Sequence, residues 1–198
     1  YTDDEIKDLI IKEPLDNNAW YLYWKYKYTS GEKIPFIDTI EVDVVSMGKI
    51  KITVYEKGIV GMVEYLDNYM YFDKDGILVE SSKKKIDGIP QITGLSFNNL
   101  ALYEELPVDN PDVFNSILTL TQMLKKNDIW PDKIHFSDSL EITLSFDEAK
   151  VLLGTDENLE EKIMRLKYLM GDLQGRKGIL HMENFNEDTK NITFENVS

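Results

Sequence analysis

The stretch NYMYFDKDGILVES, residues 68–81, decides how this sequence folds. Both of its ends, 68–73 and 77–81, are rich in the aromatic and β-branched or aliphatic residues that favour strands. Asp75-Gly76 stands between them, and this dipeptide is a strong signal for a tight hairpin turn because glycine adopts positive φ without steric cost. We therefore predict two antiparallel strands joined at Asp75-Gly76.

Upstream of this hairpin the sequence predicts another strand and, before it, a small α+β unit. Residues 59–65 are strand-like, and 39–46 and 49–56 each alternate apolar and polar residues, as expected for a half-buried hairpin that turns at Met47-Gly48. A T-x-x-E capping box at Thr2 predicts a first helix over 3–12. Asn17 and Asn18 can cap a second helix that runs through Lys27. The unit is expected to end near Lys57.

The run Trp20–Tyr28 is unusually aromatic. Rings in such a run could stack on bases or sugars. We favour a helix that packs on a sheet, because aromatic side chains dominate buried area in protein cores.

Downstream of the decisive hairpin, helices and strands alternate. The segment 95–110 is irregular, and Asn110-Pro111 predicts the start of a helix that reaches about residue 127. Later predictions are two strands at 133–137 and 140–144, a short helix over 145–154 from the capping box Ser145-x-x-Glu148, a helix capped by Asn158 with Glu161, and closing strands at 178–184 and 190–195. The fold class is therefore α+β, with a mainly antiparallel sheet in the larger, mixed α/β part.

Composition excludes several function classes. The chain has 198 residues, a net charge of −14 and a pI near 4.6. An acidic surface repels phosphate backbones and disfavours adsorption to anionic lipid headgroups, so we expect no nucleic-acid binding. The absence of cysteine rules out disulfides and thiolate chemistry. No apolar run is long enough to span a bilayer, and the chain begins at Tyr1, so we expect any membrane segment to lie upstream.

No motif predicts catalysis, a cofactor or a metal. The two histidines, His135 and His181, lie in separate predicted strands without the spacing of a common zinc site. Residues 73–76 are similar to the start of a calcium loop, but Tyr71 and Ser82 would occupy ligand positions that need acidic residues. We therefore predict no catalytic, cofactor-binding or metal-binding residues.

Several strings, in this order, resemble the extracytoplasmic region of the FtsQ/DivIB family of bacterial cell-division proteins. The most specific pair is Y-x-x-F-D-x-x-G-I-L at 69–78 followed by I-P-x-I-x-G-L at 89–95. K-I-x-V-x-E-K at 51–57 is similar to the end of that family's POTRA domain. L-x-G at 152–154 with N-L-x-x-K-x-x-x-L at 158–166, and G-I-L-H-M at 178–182, match its final helix and final strand. Many members have D-L-R where this chain has His181-Met182-Glu183, so an acid replaces the basic residue.

The resemblance implies two domains: a POTRA-type domain over 1–57, whose usual first strand would precede Tyr1, and a β domain over 58–198, with a tail from about residue 185 that can be flexible. It also implies a non-enzymatic scaffold of the division septum, held on the extracytoplasmic side by a single upstream membrane helix. The implied partners are bitopic division proteins of the FtsB/DivIC and FtsL types.

The expected route of partner binding is strand addition at an open sheet edge, where a partner strand satisfies unpaired backbone N–H and C=O groups. The closing strands are the best candidates, and a proline at an outward position such as Thr193 is expected to block binding. The candidate partner-binding residues are Ile179, His181, Glu183, Phe185, Ile192, Thr193 and Phe194. Phe185 and Phe194 could equally be ordinary packing residues. The alternatives are a POTRA-containing peptide-binding module of a secretion or outer-membrane assembly system, and a cell-wall enzyme.

Overall fold

The computed structural model describes residues 3–28, 34–46, 49–97, 99–108, 110–186, 188 and 191–197. The capping box at Thr2 and the turn at Met47-Gly48 lie outside the described residues. The chain divides into two compact units, Tyr1–Lys57 and Gly58–Ser198.

The first unit contains the two helices and the hairpin that the sequence predicts, and a short 3-10 helix that it does not predict. Its elements are α1 (Asp3–Ile10), the 3-10 helix (Pro14–Asn17), α2 (Ala19–Tyr28), β1 (Ile37–Ser46) and β2 (Lys49–Glu56). Asn18 begins α2, because its side-chain oxygen accepts hydrogen bonds from the backbone N–H groups of Trp20 (3.0 Å) and Tyr21 (3.2 Å). Ile10, Leu22 and Val42 form the centre of its core.

A buried carboxylate fixes the link between the helices of this unit. Asp16 accepts backbone N–H groups of Lys12 (3.0 Å) and Glu13 (2.9 Å), and the ammonium of Lys25 on α2 lies 2.7 Å from its other oxygen. Burial by itself would raise the pKa of Asp16, but these hydrogen bonds, above all the one from Lys25, hold its pKa below the usual value. The loop before α2 is therefore tied to α2 by a charged hydrogen bond.

The second unit is a nine-stranded sheet that carries two helices. Its strands are β3 (Ile59–Tyr65), β4 (Asn68–Asp73), β5 (Leu78–Ser82), β6 (Gln91–Thr93), β7 (Lys133–Phe136), β8 (Ile142–Phe146), β9 (Ala149–Gly154), β10 (Gly178–His181) and β11 (Thr193–Asn196). Their spatial order is β11-β10-β9-β8-β7-β6-β3-β4-β5. The β3–β6, β6–β7 and β9–β10 pairs are parallel and the others are antiparallel, which confirms a mainly antiparallel sheet.

The helices of this unit are α3 (Pro111–Lys126) and α4 (Leu159–Leu173), which follow β6 and β9. Asn110 caps α3 as predicted, since its side chain accepts the N–H of Asp112 at 2.9 Å. Alternate strand residues face the core: in β7, Ile134 is buried whereas His135 is exposed. Strand β6 is only three residues long and pairs with β3 at a single position, Met62 with Gln91.

The turn at Asp75-Gly76 is confirmed. Gly76 has φ of +77°, and its N–H donates to the Asp73 carbonyl at 3.0 Å. The Asp73 carboxylate accepts the N–H groups of Asp75 and Ile77, both at 3.0 Å. The ring of Phe114 on α3 lies against Gly76, so a Cβ at this position would come within 2.2 Å of it. Glycine is thus required at position 76 for two reasons: the backbone has positive φ there, and the Phe114 ring on α3 leaves no room for a Cβ.

The predicted helix over 145–154 is wrong, because this segment forms the end of β8, a turn and β9. Ala149, Val151 and Leu153 are buried at every second position, as in a strand, and Asp147 in the turn has φ of +48°. The capping-box spacing at Ser145 is therefore coincidental. The two-residue periodicity of 149–153 was the stronger local signal.

Asn158 is the N-cap residue of α4, as predicted, but it does not cap the helix with its side chain. Asn158 has a left-handed backbone (φ of +55°) and its side chain makes no capping hydrogen bond. The start of α4 is fixed instead by Lys162, whose buried ammonium donates to the carbonyls of Leu153 (2.7 Å) and Thr155 (3.1 Å). Burial lowers the pKa of this ammonium. Lys162 thereby ties the first turn of α4 to the end of β9.

Candidate partner-binding edge

The closing strands lie side by side at one end of the nine-stranded sheet. Strand β10 runs parallel to β9, with His181 paired to Leu152, and β11 pairs antiparallel with β10, with His181 paired to Thr193. Strand β11 is the terminal strand in the sheet order. The sequence places the two closing strands at 178–184 and 190–195, whereas in the structure each is four residues long.

The hydrogen bonds at the ends of β10 define which backbone groups face outward. The N–H of Val197 donates to the Lys177 carbonyl (3.4 Å), and on the other side of β10 the N–H of Met182 donates to the Leu152 carbonyl (2.9 Å). Because bonding direction alternates along an antiparallel strand, Thr193 and Glu195 direct their N–H and C=O groups towards β10. Phe194 and Asn196 direct theirs away from the sheet.

The expected outward position of Thr193 is therefore wrong. A proline at Thr193 would remove a donor from the chain's own β10–β11 ladder, and loss of binding could then be due to loss of the strand itself. Among the residues of β11, Asn196 combines an outward N–H with an exposed side chain.

Phe194 holds the edge strand on the hydrophobic core. Its ring is partly buried against the core cluster and lies over Gly178, where a Cβ would come within 2.7 Å of it. The guanidinium of Arg176 stacks on the same ring, 5.4 Å from its centroid. Gly178 thus leaves the space in which the ring of the edge strand packs. This Gly178–Phe194 contact could not be predicted from the sequence, because it depends on the register between β10 and β11.

His181 connects β10, β11 and the turn after β10. Its Nδ1 lies 3.0 Å from Oε1 of Glu183, and its Nε2 lies 3.5 Å from Oε2 of Glu195. The hydrogen bond with Glu183, opposed in part by burial and helped by Glu195, raises the pKa of His181 above its usual value. Glu195 was not among the sequence candidates, since its place opposite Ile179 follows only from the register.

The other candidate residues fall into two groups. Phe185 and Ile192 are partly buried against the hydrophobic core. Ile179 is half-buried, and it lies on the sheet face that also carries His181. Glu183 packs beside Gly154 at the end of β9, where a Cβ would approach the Glu183 Cα to 3.1 Å. The structure therefore brings Ile179, His181 and Glu183 together with Thr193 on β11. The side chains of Phe185, Ile192 and Phe194 pack against the protein's own core.

The opposite edge of the sheet is covered where β5 begins. The segment after β6 runs beside it: Leu78 donates its N–H to Glu104 (2.9 Å), Tyr103 donates to Leu78 (2.7 Å) and Leu106 donates to Gly76 (2.9 Å). These bonds occupy backbone groups that a partner strand would need at this end of β5. The start of β5 is therefore a poorer docking edge than β11.

An open cleft of about 830 Å³ lies between α3, α4 and the loop around Leu140. The side chains that line it include the carboxylates of Asp112, Asp156, Glu160 and Glu161. Within the described residues, no three His, Asp or Glu side chains are placed so that they could hold a metal ion. Among the helices that the structure describes, none is both long and apolar enough to cross a membrane.

The architecture defines the class of protein. A helix-and-hairpin unit followed by a helix-backed, mainly antiparallel sheet is consistent with a POTRA domain followed by a β domain. The family model for the C-terminal region of the cell division protein FtsQ/DivIB matches residues 62–185, more than half of the chain. The chain belongs to the FtsQ/DivIB family.

A curated relative agrees with this assignment. The chain is 26% identical over 152 residues to the cell division protein DivIB of Clostridium acetobutylicum. The match covers 74% of this chain and 59% of the relative, so this chain spans less than two thirds of that protein. The resemblance inferred from the motifs at 69–78 and 89–95 is thereby confirmed.

Proposed function

We propose that this chain is the extracytoplasmic part of a non-enzymatic scaffold of the division septum. In this proposal it binds bitopic division proteins of the FtsB/DivIC and FtsL types, and a single membrane helix upstream of the chain anchors it. Family membership supports the role in cell division. The observation that carries the binding mode is the terminal position of β11 in the sheet, with the backbone groups of Phe194 and Asn196 directed outward.

Strand addition at β11 would use these outward groups. A partner strand that pairs with β11 takes its affinity from main-chain hydrogen bonds and its specificity from alternate side chains. On the outer sheet face it would meet Thr193 and Glu195, and the Glu195 side chain is 69% exposed. We therefore expect a basic residue in the partner strand next to Glu195, which adds a charge contact at the rim.

The binding edge is held in place before the partner arrives. Phe194 fixes β11 on the core, and His181 bridges towards Glu195. A preordered edge lowers the entropic cost of binding, because β11 does not have to fold when the partner docks. We therefore expect β11 to be ordered before the partner binds, unlike a segment that becomes ordered only on binding.

The experiment compares Asn196→Pro with Asn196→Ala. Proline removes the outward N–H at 196, whereas alanine removes only the exposed side chain and keeps the N–H. Titration calorimetry with the soluble region of an FtsB/DivIC-type partner is expected to give at least about tenfold weaker binding for the proline variant, since one ladder bond is lost and the pairing is distorted. The alanine variant should bind like the wild type.

Circular dichroism and thermal unfolding serve as the control that both variants keep the sheet. Equal affinity of the proline variant and the wild type would refute strand addition at β11. Equal weakening by proline and alanine would assign binding to the Asn196 side chain instead of the backbone, which also contradicts the proposed mode.

A further inference from the structure

Helix α2 in the first unit carries aromatic side chains on the side that faces away from its core. Leu22 is fully buried towards β1, and Tyr23 and Tyr26 pack beside the core. Trp20, Trp24 and Tyr28 recur at four-residue spacing and therefore share the opposite face. Their side chains are 60%, 58% and 65% exposed. The expectation that this aromatic run serves packing on a sheet holds for one side of the helix only.

The exposed rings contact one another, and the sides of the rings that face away from the protein are accessible to solvent. Trp24 and Tyr28 stack with ring centroids 4.6 Å apart, and Trp20 meets Tyr23 edge-to-face at 6.3 Å. Tyr21, next to Trp24 on the helix surface, is also exposed. A contiguous patch of large apolar surface is uncommon on a soluble protein and marks a surface that interacts.

The charge of this face differs from that of the chain. The chain has 36 acidic and 22 basic residues, yet Ala19–Tyr28 contains two lysines and no acidic residue. Lys25 binds the buried Asp16 on the far side of the helix. Lys27 lies within the aromatic face, where its ammonium donates a hydrogen bond to the Tyr23 hydroxyl and lies 5.8 Å from the centroid of the Tyr28 ring. This hydrogen bond, with a smaller contribution from the Asp43 carboxylate on β1, raises the pKa of Lys27.

We propose that this face, defined by Trp20, Trp24, Lys27 and Tyr28, binds the surface of a phospholipid bilayer. Trp and Tyr are the residues of membrane–water interfaces, because each has an apolar ring and one polar N–H or O–H group that stays hydrated. The ammonium of Lys27 is placed to meet lipid phosphates while its methylene stem lies along the rings. The net charge disfavours adsorption of the chain as a whole to anionic lipid, but this face presents the opposite sign.

A bilayer fits this face better than a protein groove does. The rings lie on the convex outer side of a ten-residue helix. Rings exposed in this way can enter the boundary between headgroups and acyl chains while the side of α2 that carries Leu22 stays packed on β1. A membrane anchor upstream would bring α2 to the bilayer, but vesicle binding is expected of the chain alone. Vesicle binding by α2 does not depend on strand addition at β11.

The test uses the 198-residue chain and vesicles of phosphatidylcholine with a minor share of phosphatidylglycerol. The wild type is expected to cosediment with the vesicles, and Trp fluorescence should shift to the blue as Trp20 and Trp24 leave water. The triple variant Trp20→Ser/Trp24→Ser/Tyr28→Ser should bind at least about tenfold more weakly. Its remaining tryptophan fluorescence, which comes from Trp130, should not shift when vesicles are added. These side chains are exposed, so thermal unfolding should be unchanged.

Two further variants separate the causes. Trp130→Ser/Tyr168→Ser removes exposed aromatic side chains from the second unit and should bind vesicles like the wild type. Lys27→Glu should weaken binding more on vesicles that contain phosphatidylglycerol than on pure phosphatidylcholine. A wild type that stays in the supernatant with both lipid mixtures overturns the proposal. A triple variant that cosediments like the wild type also overturns it. So does the finding that these residues are required for binding to a soluble division protein but not for binding to vesicles.

Discussion

Replacing Gly76 with alanine should destabilise the second unit through two separable effects. The first is conformational: Gly76 has φ of +77°, a region that an L-residue with a Cβ adopts at a cost of about 1–2 kcal/mol. The second is steric, because the new Cβ would lie 2.2 Å from Cζ of Phe114, well inside contact distance. The Phe114 ring, which is partly buried against the core, would have to move.

The magnitude follows from adding these effects. Displacing a partly buried ring forfeits a fraction of the roughly 1.5–3 kcal/mol that full burial of a Phe side chain contributes. With the backbone cost, we expect Gly76→Ala to lower the free energy of unfolding by about 2–4 kcal/mol. Gly76→Val should cost more, since its β-branched side chain tolerates positive φ poorly and is larger.

Gly88 provides a matched control. It has nearly the same φ, +79°, but nothing lies within 4 Å of the position that a Cβ would take. Gly88→Ala should therefore cost only the backbone part, about 1–2 kcal/mol. Urea unfolding of both variants, followed by tryptophan fluorescence, gives the difference between them, which measures the contact with Phe114.

Two results would refute this reasoning. A change of less than about 0.5 kcal/mol in Gly76→Ala would mean that the turn is not held at positive φ. Equal losses in Gly76→Ala and Gly88→Ala would mean that α3 does not restrict the turn. In addition, Phe114→Ala should remove most of the extra cost of Gly76→Ala in the double variant, because the two positions are in contact.

Three other outcomes are expected. Native-state hydrogen exchange should divide near residues 57–61 into two groups of amides with distinct protection; one uniform level throughout would contradict two folding units. The protonated form of His181, whose pKa is raised by Glu183, stabilises the fold below the ordinary imidazole pKa, and this contribution is lost as pH rises through the raised value. Exchange of the Thr193 and Glu195 amides, which face β10, should accelerate over that range when corrected for intrinsic rates, and His181→Gln should abolish the dependence. Glu183→Lys should change the salt dependence of partner binding more than its affinity; an unchanged salt slope would remove Glu183 from the rim.

Elements with a strong local pattern could be predicted from the sequence. The strands at 59–65 and 68–73 are found at those positions, because their alternation and the Asp75-Gly76 turn are properties of adjacent residues. At 145–154 two local signals conflict: the capping-box spacing indicates a helix, whereas the two-residue alternation indicates a strand. Tertiary packing favours the strand, because a strand buries Ala149 and Val151 at alternate positions.

The candidate site depended on contacts that no local pattern reveals. The open edge at the closing strands was expected because the last strands of a chain often lie at the edge of a sheet, and the structure places β11 there. The direction of each backbone group on β11 depends on its register with β10, and a shift by one residue would exchange the roles of Thr193 and Phe194. Similarly, the aromatic run in α2 could not reveal which rings are buried, because apolar side chains occupy both sides of that helix.

The brevity of β6 has a mechanical consequence. Everywhere else in the nine-stranded sheet, neighbouring strands share several paired positions, but β3 and β6 share only the pair of Met62 with Gln91. The backbone bond from Met62 to Pro90 and the side-chain bond from Gln91 to Glu64 reinforce this seam. Helix α3 lies between β6 and β7 in the chain and contacts β3. Its apolar face, more than backbone pairing, therefore holds β3, β4 and β5 to the strands from β6 to β11. The junction between β3 and β6 is therefore the most weakly paired position in the described sheet, and its stability depends on the packing under α3.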